Sequence, residues 1–228
     1  MRSGANKRAR KRELPRVRRS QARGVVTRAR LLAVARELFS RDGYAAVSRA
    51  DIARRAGYGM STVYHHFADK RGMLLQLIDE WGMAMPVQRR AAFDIRTALG
   101  GDLRRAARDF LRKSVEQLEK GPSFYRVILT EAERDPEVRR RYDTAQHAIT
   151  TWLAEMTRLG QQNGIISAKR NPEAAAALLQ HLIESSLTEL VGRKLAGDLR
   201  EQMLEELADM ICAYLTDHPA AGGGGVRR

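Results

Sequence analysis

The chain of 228 residues has a single cysteine, Cys212, so no intrachain disulfide can form, which fits a reducing compartment. Next to Ile211, that thiol reads as a small buried hydrophobe rather than a redox sensor. No run of about 18 apolar residues occurs, which removes a membrane-spanning helix. Arg18-Arg19 is followed by no apolar stretch, so a twin-arginine leader is set aside and a cytoplasmic location is expected. Strand-like alternation is missing at any useful length, which points to an all-α chain. Catalytic signals are also missing. No GxSxG or comparable nucleophile motif is present. The glycine run at 222–225 lacks the strand and helix that a phosphate loop needs. His65 and His66 are adjacent, cannot share a helix face, and have no Cys/His cluster to support them as metal ligands. These absences leave no catalytic residues, no metal and no cofactor to assign, and they argue against an enzyme.

Positive charge is abundant and unevenly placed. The first 30 residues hold 12 Lys/Arg and one acid, Glu13, a local +11 out of the overall +14. Residues 1–24 therefore read as a basic arm, disordered when free and suited to an anionic polymer. The Gly-rich end, 219–228, reads as a disordered tail.

Between these ends, helical periodicity dominates. The first helix is expected from about Thr27 to Arg41, with Leu31, Leu32, Ala35, Leu38 and Phe39 as its apolar stripe and Gly43 as its stop. Ser48 reads as an N-cap that forms a capping box with Asp51. The second helix then ends at Ala56-Gly57, where glycine supplies the positive φ of a sharp turn. The third helix, Met60 to His66, follows Gly59, a weak cap. Val63 and Phe67 point into a small core and leave Met60, Ser61, Thr62, Tyr64 and His65 on or near the outer face. Such a short helix fits the DNA major groove, about 12 Å wide. Asp69 caps a fourth helix. Lys70 in its first turn opposes the helix dipole, a poor choice for stability alone but reasonable if a phosphate docks there.

Gly43-Tyr44, Ser48, Asp51-Ile52-Ala53, Ala56-Gly57, Thr62-Val63-Tyr64, His66-Phe67 and Lys70, in this order and spacing, resemble the TetR family of bacterial transcriptional regulators. Gly59 stands where that family often has Ser or Thr, and Met60 where a polar or basic residue is common. The resemblance implies a helix-turn-helix over about 48–67 within a DNA-binding domain at 25–71. It implies contacts to double-stranded DNA from Ser48, Arg49, Gly59, Met60, Ser61, Thr62, Tyr64, His65, His66 and Lys70.

The expected fold class is all-α, with a three-helix head on a larger helical body at 72–218. The fourth helix carries Leu74, Leu77, Ile78, Trp81 and Met85 on one face and is expected to stop near Pro86. Helical segments are expected at 87–98, 102–120, 124–132 and 136–162, broken at Gly100-Gly101, Gly121-Pro122 and Asn163-Gly164. The last two helices, 172–195 and 199–215, are apolar over a wide arc. Such helices need two partners: the chain's own core and, across a two-fold axis, a second copy. The resemblance implies the same homodimer through those helices. It also implies a small-molecule effector in the body. Trp81, Met85, Phe110, Phe124, Tyr125, Ile128, His147, Thr151, Trp152 and His181 are the expected lining, suited to a largely apolar ligand. The reading is a homodimeric repressor released from a palindromic operator by that ligand. The alternative is a non-specific architectural DNA-binding protein that uses the basic arm.

Overall fold

A computed structural model describes residues 16–119, 124–192 and 197–216. The arm before Arg16, the Gly121-Pro122 break, the end of the ninth helix near Leu195 and the tail at 219–228 lie outside the described residues. Within them the chain is helical and no strand occurs. The elements run α1 (Arg16–Asp42), α2 (Arg49–Ala56), α3 (Met60–His66), α4 (Lys70–Ala92), α5 (Ile95–Leu99), α6 (Leu103–Glu119), α7 (Phe124–Ala132), α8 (Pro136–Gln162), α9 (Pro172–Gly192) and α10 (Gly197–Leu215).

Local chemistry sets the head. Ser48 accepts from the Asp51 N–H at 3.1 Å while Asp51 accepts from the Ser48 N–H at 3.0 Å, a complete capping box. Gly57, at φ 78°, closes α2 with two reversed bonds, Gly57 N–H to Arg54 C=O and Tyr58 N–H to Ala53 C=O. That Schellman arrangement turns the chain sharply into α3. No side chain caps α3 at Gly59, whereas Asp69 caps α4 by accepting from Gly72 N–H. α3 is held by packing: Val63 is fully buried and Phe67 nearly so.

Three expectations are corrected. α1 begins at Arg16, right after Pro15, rather than at Thr27. Between Pro15 and Thr27 the chain has no further proline, and Arg, Gln and Ala are good helix formers, so propensity outweighs like-charge repulsion there. The last residues expected in a disordered arm are thus helical. α4 does not stop at Pro86 but continues to Ala92. An interior proline costs about 3 kcal/mol, and burial of Ile78 and Trp81 before it and Ala92 after it outweighs that cost. The expected helix at 87–98 is therefore the end of α4 plus the short α5, capped by Asp94.

Two apolar cores stack end to end. The first joins α1–α4 to α7 and the start of α8 through Phe39, Val63, Leu74, Trp81, Ile128 and Val138. The second joins α6, α8, α9 and α10 through Leu111, Trp152, Ile183, Leu204 and Ile211. The head thus shares its core with the body, and α4 runs from one to the other. Ion pairs reinforce the junction: Arg71 holds Asp135, the α8 N-cap, at 2.6 Å, and Arg141 pairs with Asp79 and Glu137.

Candidate nucleic-acid interface and effector cavity

Because Val63 and Phe67 occupy the inner side of α3, its neighbours face outward. Tyr64 is 53% exposed, Ser61 and His65 are exposed, and Met60, Thr62 and His66 are half-buried. Tyr64 is held in place by Arg49 of α2, whose guanidinium lies 4.5 Å above its ring and donates to the Ala68 carbonyl at 2.7 Å. Ser48, committed to its capping box, sits at the α2 end of the same surface. His65 and His66 meet edge to face at 5.1 Å. Burial, with His65 and Arg28 nearby, pushes the His66 pKa down, so His66 stays neutral where an ordinary histidine begins to charge.

Lys70 departs from expectation. Its ammonium donates to the carbonyls of Tyr44 at 2.8 Å and Val47 at 2.9 Å and lies 4.2 Å over the Tyr44 ring. Partial burial lowers its pKa. Two of its three donors thus tie down the loop between α1 and α2, and those carbonyls offset the unfavourable place on the helix dipole. Sequence reasoning also missed Arg28, which donates to the His66 carbonyl and to Gln76 while stacking 4.1 Å above Phe67. Arg30, Arg54 and Arg55 likewise have acceptors inside the head: the Ala56 carbonyl, Asp51 and Glu37.

The ten expected effector contacts do not form one site. Phe124 and Ile128 are filled core, and Met85 packs against it. Trp81 stacks on Tyr125 at 5.8 Å and on Tyr142 at 6.2 Å. Phe110 and Trp152 do line a cavity. His147, Thr151 and His181 are exposed, because they fall on the outer stripes of α8 and α9. The cavity itself lies farther along the body, walled by Phe93, Leu103, Met156, Ile166, Leu179 and Ile211, with a volume of about 80 Å³. It is almost wholly apolar. Typical ligand pockets are roughly 300–1,000 Å³, several times larger.

Beside the cavity, on neighbouring positions of α9, lies a polar cluster that sequence reasoning also missed. Tyr142 donates to Glu184 at 2.6 Å, and Gln146 donates to Glu184 at 2.5 Å and to the Tyr142 oxygen at 2.6 Å. Gln180 donates to Gln146 at 3.1 Å and accepts from Arg89 at 3.4 Å. Burial raises the Glu184 and Tyr142 pKa values and lowers that of Arg89. The i, i+4 spacing of Tyr142 with Gln146, and of Gln180 with Glu184, was the available signal. Cys212 is buried, and desolvation pushes its thiol up to about 11, which leaves it an inert core thiol as expected. Among the described residues no group of His, Cys, Asp or Glu could hold a metal ion, and no helix is long and apolar enough to cross a membrane.

This geometry, a capped helix, a glycine turn and a short exposed helix on a shared core, is that of a helix-turn-helix head. Residues 31–77 match the family described as bacterial regulatory proteins, tetR family. The HTH-type transcriptional regulator UidR of Escherichia coli K12 is 28% identical over 194 residues, covering 83% of this chain and 93% of UidR. The reduced form of E. coli NemR is similar in fold at a TM-score of 0.67 and 14% identity, covering 84% of this chain and 98% of NemR. A transcriptional regulator from Saccharomonospora viridis, in complex with choline, gives 0.65 at 23% identity, covering 87% of this chain and all of that one (100%). The head is thus that of the tetR family, and over most of its length the chain is similar to a helix-turn-helix transcriptional regulator. Its relatives are regulators, not enzymes.

Proposed function

We propose that the protein is a homodimeric repressor that leaves a palindromic operator when a small, largely apolar effector enters the body. The observation that carries the DNA reading is the outward face of α3, with Tyr64 fixed by Arg49 while Val63 and Phe67 anchor the helix from inside. Ser61, Thr62, Tyr64 and His65 are then the base-reading groups, with Ser48, Arg49, Gly59, Met60, His66 and the remaining donor of Lys70 at the rim. The cations of the head largely have internal acceptors. Phosphate attraction therefore comes mainly from the basic arm, residues 1–24, and the start of α1. On this division the head spans 25–71 and the body 72–218.

Support for the dimer comes from α9 and α10. Leu178, Leu199 and Met210 are exposed by 59, 48 and 56%, and a shallow groove between the helices is lined by Leu182, Leu190 and Met203. A second copy covers such a face most simply. Support for an effector comes from the apolar cavity and from the choline bound in the S. viridis regulator of the same fold. Two recognition helices then sit in successive major grooves, about 34–36 Å apart. A ligand that fits a wider spacing shifts the population away from the DNA-bound form. Selection of bound sites from random DNA tests the reading. A palindrome supports it, and enrichment without sequence preference would identify an architectural binder instead.

A further inference from the structure

The exposed helix α3 is too short to fix its own orientation. It spans seven residues, and isolated helices below about 12–15 residues are marginal in water. No side chain caps its start. Val63 is buried within it and Phe67 just beyond its end. Two apolar anchors four residues apart hold a helix to the core, but rotation about the line that joins them is left to other contacts. Those contacts gather at its C-terminal end. Arg28 of α1 donates to the His66 carbonyl and to the Gln76 side-chain oxygen, and its guanidinium lies 4.1 Å over the Phe67 ring. The last carbonyls of a helix have no partner within it, and a cation there also meets the negative end of the helix dipole. His66 does not supply that charge itself, because burial, His65 and Arg28 hold its pKa down.

The neighbours of Arg28 hold it to this task. Gln76 of α4 donates to Glu80 at 3.0 Å, which leaves its oxygen turned to Arg28. Gly24, one turn before Arg28 in α1, faces the His66 ring, and a Cβ added there would lie 3.9 Å from it. Arg28 thus joins α1, α3 and α4 at one point, while Arg49 of α2 ties the next carbonyl but one, that of Ala68. Resting on the reading that the outward face of α3 reads bases, we infer that Arg28 is a specificity-determining positioning residue. It sets the angle at which Tyr64 and His65 meet the base edges, and it acts through α3 rather than by holding a phosphate. Hydrogen bonds to bases tolerate only a narrow range of distance, about 2.7–3.2 Å for N–H to oxygen. Attraction of the basic arm to phosphates acts over longer distances and carries no sequence information. A small rotation of α3 therefore costs base preference and leaves general DNA affinity in place.

The test uses the full chain and the site that the wild type selects from random DNA. Arg28→Met keeps the aliphatic stem and loses the guanidinium fork; Gln76→Leu removes the second acceptor. In Arg28→Met the preference for the selected site over scrambled duplex falls by roughly tenfold or more, the scale of one lost base contact. Affinity for the scrambled duplex and the slope of log K against log salt stay as in the wild type. Arg28→Lys, which restores the charge but not the fork, recovers part of the preference. In NMR titrations the His66 ring titrates higher in Arg28→Met, because a cation that holds it down is gone. Gln76→Leu shows a smaller fall in preference and carries the test should Arg28→Met not fold. Full preference in a folded Arg28→Met, or in Gln76→Leu where Arg28→Met does not fold, overturns the inference. So does uniform weakening on all DNA with a slope smaller by about 0.9, which would make Arg28 a phosphate contact. An unmoved His66 titration overturns it as well, since Arg28 would then lie away from α3. A wild type that selects no site removes base reading by α3 altogether, and that result is read before any variant is made.

Discussion

Lys70 gives the sharpest contrast between a DNA contact and a structural tie. Lys70→Met keeps the aliphatic stem and removes the ammonium. The loss comprises two charge-assisted hydrogen bonds, to the Tyr44 and Val47 carbonyls, and the contact over the Tyr44 ring. Hydrogen bonds to charged groups are worth about 1.5–3 kcal/mol each and an exposed cation–π contact about 0.5–1. The low end of these ranges sums to about 3.5 kcal/mol, and because the ammonium is only part-buried water replaces some of it, which leaves about 2–3 kcal/mol in all. For a chain of this size that lowers the melting temperature by roughly 4–12 °C. Thermal unfolding and titrations of an operator duplex at three salt concentrations, on the same preparation, separate the roles. A structural Lys70 gives the drop in melting temperature and a nearly unchanged slope of log K against log salt. A phosphate contact gives unchanged stability and a slope smaller by about 0.9. That second result would refute the assignment of its donors to the loop.

Tyr64→Ala should weaken the operator by about 1–3 kcal/mol and relax base preference, measured by competition against point-substituted operators; uniform weakening on all sequences would place Tyr64 off the bases. Leu182→Glu or Met210→Glu should give folded monomers by sedimentation, whereas the same change at Leu187 or Leu204, both buried in the second core, should unfold the chain. A dimeric Met210→Glu together with a dimeric Leu182→Glu would move the interface elsewhere. The Asp135 carboxyl, held down to about 2 by Arg71 and by the α8 N-terminal N–H groups, stabilises the fold above the ordinary carboxylate pKa, and that contribution disappears as pH falls from about 4 towards 2. Asp135→Asn should therefore melt below the wild type at pH 7 and at the same temperature near pH 2; a deficit independent of pH would point to packing instead.

What could be read from the sequence was local. Ser48 with Asp51, Gly57, Asp69 and Pro136 mark helix ends within a few residues, and the start of α8 follows from such signals alone. Boundaries failed where packing or propensity overruled a local rule, at Pro86 within α4 and at the start of α1. The site was harder for a different reason. Apolar periodicity finds inward residues but does not separate filled core such as Ile128 from a cavity wall such as Trp152. The tie of Lys70 to the α1–α2 loop was not legible because its acceptors lie 23 and 26 residues upstream. Arg89 was missed because its partner is 91 residues away on another helix.

The central claim is that α3 reads a defined palindrome, and selection from random duplex DNA followed by competition at fixed salt tests it most directly. The expected result is a two-fold symmetric site with half-sites about 10 base pairs apart, preferred over scrambled DNA by roughly 10³ or more. Comparable affinity for selected and scrambled duplexes, with binding that follows salt alone, would contradict it.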